Sequence, residues 1–480
     1  MKTIDIAVIG GGASGMMASI TAAQTAPGLR IAVLERAPRV GRKLLSTGNG
    51  RCNLTNLTAE QGGYHGDEAF ALSVIRRFPP RDVIKAFQKM GLRTYSDEAG
   101  RVYPLCNQAA AVLDILRLKM ADLAIEEIGD FDCSDIRKEG DFFLLRPVSG
   151  EKLRARRVIL CAGGMAAPKV GGTDAGVRLL SAMGHRSIPR RPALTQIDTD
   201  PEPIRALKGL RYQGGIALIA NGQTLHTEQG EILFAEGGLS GIAVMQLSGY
   251  LSPGSGIRKP EIRLDLFPHL STEERTEVLR GHSRALPTVS AGDYMTGLIH
   301  RRLGLAVWKA AKLGDEKRPV SSLKPEEWTA FARGFKSWRF TELENTGWKN
   351  AQTTGGGIKL HQLEPDTFQV KSAPGLYIVG ETTDCAGSCG GFNLHWAFGS
   401  GILAGQAAAE QLGGKAEANP SRPAKLTHTA PKSSPARASA TPGSRRKAAA
   451  SGSRKADKPR PSAGGRKAPA KKNSKAPKHR

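Results

Sequence analysis

The sequence predicts an α/β protein in which two distant stretches of chain build one domain, a β-rich and helical section is inserted between them, and a basic tail follows. Three observations carry this. An apolar run passes through closely spaced glycines into a helical segment at the start of the chain. A buried-type strand and a small-residue helix return between about residues 375 and 412. Between them, from about Pro192 to Thr346, the pattern changes to short alternating segments and capped helices.

In the opening stretch TIDIAVIGGGASGMMASITAAQTAPGLRIAVLER, Ile4, Ile6, Val8 and Ile9 read as a buried strand, Met16 to Ala26 as helix, and Ile31 to Leu34 as a second strand. This is a parallel β-α-β unit. Gln108 to Glu127 has helical apolar spacing with Asn107 placed to cap it. Asp141 to Pro147 and Lys152 to Arg157 read as a hairpin around Ser149 and Gly150, and Arg157 to Leu160 as a strand ending in Cys161-Ala162-Gly163-Gly164. In the inserted section, Gly215 to Ala220 and Gln223 to Thr227 are strand-like. Ser271 with Glu274 forms a capping-box signature for a helix through Leu279, and Pro325 opens another helix. Leu376 to Val379 is again a buried strand, and Trp396 to Leu412 a helix. The predicted division is residues 1–192 with 350–415 as a discontinuous domain, 193–265 with 320–349 as a β-rich, barrel-like domain, 266–319 as a small helical domain, and 416–480 as the tail.

At 480 residues the body can bury its own cores without disulfides or metal. The first residues show no basic, cleavable leader, and no apolar stretch reaches bilayer length, so a soluble, cytoplasmic protein is expected. Six cysteines are scattered without CxxC pairs. Cys385 and Cys389 stand at CxxxC spacing without nearby paired ligands, so reduced thiols and no metal site are expected. The net charge of +25 suggests a nucleic-acid binder until its location is considered: residues 421–480 hold 18 Lys and Arg against Asp457 alone, leaving the body only mildly basic. That tail is Ala, Pro, Ser, Gly, Lys and Arg with almost no apolar anchor, and it reads as disordered. Its cations suit nonspecific nucleic-acid binding, and it has no aromatic residue for base stacking.

Gly10, Gly12 and Gly15 form GxGxxG between strand and helix, and Glu35 ends the next strand about 20 residues later, the Rossmann dinucleotide-binding spacing. Gly10 is expected to make the tight turn, Gly12 to admit a pyrophosphate, and Gly15 to let helix meet strand, with the phosphates on the helix N-terminus. Glu35 would take ribose hydroxyls. This fingerprint alone does not separate FAD from NAD. GRKLLSTGNGRCNLTN, Gly41 to Asn56, combines cations, flexible backbone and amides in one loop, suited to a pyrophosphate and a polar ring. Gly380 and Glu381 follow a late strand, and Gly387 to His395 leads into a helix whose N-terminus would stabilise negative charge on a reduced flavin.

These three segments, in this order, resemble the aminoacetone-oxidase-type FAD-binding flavoproteins, a family that includes the BaiN-type bile-acid reductases. Further matches are Glu98 to Pro104, Val158 to Gly164 with Gly184-His185, Gly230 to Phe234 with Gly238 to Gly241, Gly355 to Ile358, Gly390 to Leu394 and Gly399 to Gly401. The resemblance spans about residues 1 to 412. It implies a Rossmann-type FAD-binding domain with an inserted β-rich and helical part. It further implies that Gly10, Gly12, Ala13, Ser14 and Gly15 hold the pyrophosphate, with Lys43 beside it. Glu35 with neighbouring Arg36 would hold the ribose, Gly163 line the adenine side, and Gly380 and Glu381 the ribityl region. Gly391, Asn393 and Leu394 would meet the flavin's pyrimidine edge. Thr47 replaces the family's usual Ser, and Phe392 and His395 stand where relatives commonly carry Tyr and Gln, which leaves the substrate-facing side open to difference.

Three residues are candidates for catalysis. His395 could donate a proton during hydride transfer, or could simply be packed. Arg51 and Asn53 could orient ring or substrate from the glycine-rich loop. Cys52 has no partner thiol and reads as buried. No second GxGxxG follows a strand in the inserted section, so electrons come from the substrate, from transient NAD(P)H docking or from another protein. Two readings follow: an FAD oxidoreductase moving hydride to or from a small organic substrate, and an FAD-dependent RNA-modifying enzyme that uses the tail to hold nucleic acid. The oligomeric state stays open.

Overall fold

The computed structural model describes residues 1–251 and 256–413, and the predicted disordered tail, 416–480, lies outside the described residues. The first strand, β1 (Lys2–Ile9), is buried over its last six residues and runs through the glycine turn into α1 (Ala13–Thr25), after which β2 (Ile31–Leu34) returns parallel to it. A run buried on both faces can sit only at the centre of a covered parallel sheet.

Past two ten-residue helices, Glu68–Arg77 and Pro80–Lys89, come α2 (Ala109–Asp122) and β3 (Glu126–Ile128). Here the sequence reading overruns: the helix ends four residues before Glu126, and the chain turns through Ala124 at positive φ into a strand paired with β2. Asn107 does not cap the helix. It sits at φ +55 and its side chain accepts from the Tyr95 hydroxyl, while Gln108 precedes the first turn.

The expected hairpin is present as β5 (Phe142–Pro147) and β6 (Leu153–Leu160), preceded by β4 (Cys133–Glu139), a strand not anticipated. Its sequence CSDIRKE is charged and only half-buried, as an outer strand may be. The two apolar runs expected separately around Arg157 are one continuous strand. Its first half, Leu153–Ala155, pairs antiparallel with β5, and its second half pairs parallel with a late strand on the same edge. The sheet order is β3-β2-β1-β6-β5-β4, with that late strand also on β6.

The inserted section begins after β7 (Ser187–Ala193). Its hairpin β8 (Arg211–Ala220) and β9 (Gln223–Ala235) is longer than the alternation suggests. It turns at Asn221-Gly222, both at positive φ, the pair that a tight two-residue hairpin requires. Then follow α3 (Ile242–Ser248), β10 (Glu261–Asp265), α4 (Thr272–Ala285), α5 (Arg301–Ala310), α6 (Pro325–Lys336) and β11 (Trp338–Phe340). Both halves of the Ser271/Glu274 capping box form at α4. Helices and sheet share one apolar cluster between Ile197 and Phe340. In it Phe331 packs on Trp308, Tyr294 and Phe335, and Phe335 stacks on Phe267 beyond β10.

The chain returns through β12 (Thr353–Ile358), which pairs with β7, then β13 (Leu376–Ile378) on β6, and closes with α7 (Phe392–Glu410). The other apolar cluster, the first core in chain order where that between Ile197 and Phe340 is the second, runs from Ile4 to Leu180 and resumes from Ile358 to Ala409. Gly401 and Gly405, one turn apart on α7, lie where a Cβ would strike the carbonyl oxygens of Ser14 and Ala18 on α1. The two helices therefore approach backbone to backbone, joining the early and late stretches of chain behind the glycine turn.

Candidate functional site

At the end of β1, glycine is required twice for packing and once for space. A Cβ at Gly10 would collide with the carbonyl of Cys161, and one at Gly15 with the carbonyl of Gly10. A Cβ at Gly12 would meet no atom within 4 Å, so this glycine faces open space. Helix α1 begins there with no side-chain cap and no acid in its first turn, leaving its backbone N–H groups and positive end toward that space.

A cavity of about 340 Å³ opens beside the turn. Its walls include Gly10 to Gly12, Glu35, Arg36, Lys43, Phe131 to Cys133, Cys161 to Gly164 and Gly171 to Thr173. Glu35 holds its own wall in place, accepting from the Gly11 amide at 2.8 Å and the Ala37 amide at 2.9 Å. Arg36 donates to the Gly171 carbonyl across the rim. Gly163 has positive φ and nothing within 4 Å of a Cβ, so it too borders open volume. Among the sequence candidates, Gly10, Gly12, Glu35, Arg36, Lys43 and Gly163 line this cavity. Ala13, Ser14 and Gly15 lie behind it in α1; Ser14 is buried against Gly380. Phe131, Asp132 and Cys133 belong to the unanticipated turn into β4 and carried no motif.

Lys43 and Glu381, 338 positions apart, form an ion pair at 2.5 Å, and the other Glu381 oxygen accepts from the Thr354 amide at 2.9 Å. Gly380 is fixed beside it by Ser400, whose Oγ accepts the Gly380 amide. The glycine-rich loop is thus tied to the late strand region.

Beyond this tie lies the second half of the site. Gly391 precedes α7 at φ +110, and the helix again has neither side-chain cap nor acid in its first turn. A Cβ at Gly391 would lie 2.8 Å from Asn53 Oδ1. That oxygen is buried and has no hydrogen-bond partner. Asn393 is fully engaged: its Oδ1 accepts from the Gly387 amide at 2.8 Å and from Thr353, and its Nδ2 donates to the Gly387 carbonyl at 2.7 Å. It pins the turn before α7. Leu394 follows in the first turn, half-buried against the first core. Arg51 is exposed, its guanidinium 4.6 Å from the centre of the Tyr103 ring.

His395 is the clearest correction. It has no solvent exposure. Its Nε2 donates to the Phe78 carbonyl at 2.7 Å, and its Nδ1 takes the Thr55 hydroxyl at 2.7 Å. Burial pushes its pKa down to about 4, so it is neutral near pH 7, with no free nitrogen to offer a substrate. Sequence alone places His395 beside the site but not which way the first turn of α7 faces. Cys52 is likewise buried, and desolvation raises its thiol to about 12, which removes nucleophilic character.

An uncapped helix start facing a void, a second uncapped helix start, and a buried carbonyl oxygen lacking a donor are what a dinucleotide with a planar N–H-bearing ring would complete. The residues present therefore fit FAD. Fold and site together define an FAD-dependent oxidoreductase built on a Rossmann domain.

The chain belongs to the HI0933-like protein Rossmann domain family, which it matches over residues 4–407. This bears out the family read from the motifs. The chain is 34% identical over 408 residues to the 3-dehydro-bile acid delta(4,6)-reductase of Clostridium scindens, covering 85% of this chain and 99% of that protein. It is 27% identical over 413 residues to the ribosomal RNA dihydrouridine synthase of Escherichia coli, covering 83% and 96%. Among solved structures, 3-ketosteroid delta1-dehydrogenase from Sterolibacterium denitrificans matches with a TM-score of 0.46 at 14% identity, covering 86% of this chain and 100% of that one. No helix among the described residues is long and apolar enough to cross a membrane.

Proposed function

We propose that the protein is an FAD-dependent reductase of a carbon–carbon double bond conjugated to a carbonyl in a small organic molecule. The observation that carries the reading is the buried, unpartnered Asn53 Oδ1 against Gly391 at the start of α7, an acceptor and a helix dipole converging where a flavin ring would fit. Bound FAD would supply hydride to the substrate. The amides of Gly12 to Ser14 would hold the pyrophosphate, Gly10 and Gly15 would shape the turn, and Glu35, Arg36 and Gly163 would line the adenosine side. Lys43, paired with Glu381 below Gly380, would steady the middle of the cofactor. Gly391, whose Cβ would strike the Thr55 carbonyl, would let the turn close beside the ring's pyrimidine edge, Asn53 would accept a ring N–H, and Asn393 with Leu394 would hold the turn at that edge. Arg51 would face substrate from the rim. The bond class comes from the bile-acid relative, whose name denotes reduction of unsaturation beside a 3-oxo group. Transient NAD(P)H is the electron source we favour, and the six free thiols suit a reducing compartment such as the cytoplasm.

A second reading keeps the chemistry and changes the substrate. Uridine also carries a double bond conjugated to a carbonyl, the E. coli relative is named for ribosomal RNA, and the tail's 18 cations would attract a polyanion. Anaerobic reduction of the bound flavin, followed by 2-cyclohexen-1-one, a 4-en-3-oxo steroid or uridine-containing RNA, tests both. Reoxidation by the small enones with a saturated product supports the first, and reoxidation by RNA alone supports the second. A reduced flavin that none of them reoxidises refutes the bond class.

A further inference from the structure

Strand β9 alternates its faces, and the even-numbered residues turn inward: Ile232 and Phe234 enter the second core, and Gly230 faces Ala243 of α3. Farther along the same face, Glu228 and His226 pass the end of that cover. There His226 stacks on Tyr250, ring centres 5.3 Å apart and 29° from parallel. His226 Nε2 lies 2.7 Å from Glu228 Oε1, and Nδ1 lies 3.4 Å from the Tyr250 hydroxyl. The carboxylate can only accept, so it fixes the proton on Nε2 and leaves the Nδ1 lone pair for the tyrosine. Carboxylate, imidazole and phenol stand in series, the middle member oriented from behind.

This group is not remote from the flavin site. Four residues before Tyr250, Gln246 on α3 accepts from the Cys389 amide at 2.9 Å, in the turn that ends at Gly391. The strand Tyr64–Gly66 pairs with Cys385–Gly387 at the start of that turn and sets His65 opposite Ala386. His65 is exposed, yet partial desolvation and then the charge of His226 lower its pKa; Glu68, Arg191 and Glu228 also act on it. His65 is thus exposed beside the turn that leads to Gly391, with His226, Glu228 and Arg191 close enough to act on it.

We propose that the substrate docks on the surface between His65 and Tyr250 and that Tyr250 is the proton donor of the reaction, with His226 and Glu228 as positioning residues. The assignment rests on the reductase reading above. The substrate's π bond breaks and two C–H bonds form. Bound reduced FAD would supply the hydride, with its electron pair, to the β-carbon and be oxidised in doing so, and Tyr250, turning its hydroxyl away from His226 Nδ1, would give its proton to the α-carbon. Tyr250 recovers that proton through His226 Nδ1 from solvent, and Glu228 balances the imidazolium while it lasts.

The test uses full-length holoenzyme, reduced anaerobically and mixed with 2-cyclohexen-1-one or a 4-en-3-oxo steroid. Tyr250→Phe should lower the reoxidation rate constant about 100-fold or more. FAD content, the oxygen reoxidation rate and the enone concentration at half-saturation should stay near wild type. Glu228→Gln should lower it about tenfold and shift the pH profile, and nitrogen NMR of labelled histidine should show the fixed Nε2 proton of His226 lost. Reoxidation of Tyr250→Phe within threefold of wild type overturns the relay and leaves the reductase reading standing. A wild-type protein that no enone reoxidises overturns both.

Discussion

The two ends of the proposed FAD site, the one assigned to the phosphates and the one assigned to the ring, are built in opposite ways. At the phosphate end the chemistry is carried by backbone and by missing side chains: Gly10, Gly12 and Gly15 stand within six positions, and each acts through what a Cβ would strike or leave open. At the other end, side chains do most of the shaping, and they converge on the turn at Gly391 from Asn53, Thr353 and Asn393, with Gln246 reaching in from the inserted section. A local backbone motif can be read from spacing, whereas a convergence over hundreds of positions depends on packing that spacing does not encode.

The sharpest way to break this contrast is to substitute the glycines singly, and the largest effect is expected at Gly15. Its Cβ would meet the Gly10 carbonyl, and backbone cannot yield as a flexible side chain can. Gly15→Val should cost on the order of 3 kcal/mol or more in stability, read as a fall in Tm or a failure to express soluble protein. Gly12→Val meets nothing in the protein. It should fold with a near-native Tm in the apo state yet retain little FAD. Equal damage to folding from both would mean that Gly12 is also structural.

Nearly as large is the effect of removing the late half of the first core. Residues 1–192 expressed alone would expose the edge of β6 that pairs with β13 and the face of α1 that meets Gly401 and Gly405. That fragment should be insoluble, and a soluble, FAD-binding fragment of that length would contradict the discontinuous domain we propose.

A moderate effect is expected at Asn53. Asn53→Ala removes the orphan acceptor without adding bulk, and FAD should bind 5- to 30-fold more weakly, about 1 to 2 kcal/mol, as measured by flavin fluorescence on titration. Unchanged affinity would mean that the oxygen stays an unpaired buried acceptor and meets no ring N–H.

How far the sequence carried each part follows the same division. The β-α-β unit, the β5/β6 hairpin, the capped α4 and the late strand were all legible, because each rests on periodicity or a cap within one short stretch. Strand β3 was lost inside an overlong helix because the Glu126-Glu127-Ile128 run has no strand signature and is ordered by pairing with β2. Lys43 and Glu381 were each picked out by a motif but not as each other's partner, and the His226–Glu228–Tyr250 group had no motif, its members being ordinary residues until the fold gathers them. Asn393 stood out by its motif as a ring contact, and in the structure its side-chain amide is engaged by Gly387 and Thr353.

The smallest effect at neutral pH is expected at the residue that looked most catalytic. His395 is neutral in the folded chain with its pKa pushed down to about 4, while in the unfolded chain it would titrate near 6.5. Between those values the unfolded state binds more protons. The stability contributed by the neutral, buried form is therefore complete above about pH 6.5 and is lost as pH falls toward 4, by up to about 3 kcal/mol. Glutamine offers one donor and one acceptor, as the neutral imidazole does toward Phe78 and Thr55, and it does not titrate. His395→Gln should thus keep its FAD, its near-neutral turnover within a few-fold and most of its Tm at pH 7.5. Its Tm should fall less steeply than wild type between pH 6.5 and 4.5. The difference between the two curves isolates His395 from the carboxylates that both proteins share. If turnover collapsed at pH 7.5 while folding and flavin content held, the imidazole would be acting on the reaction after all, and the ring end would hold a catalyst that its packing conceals.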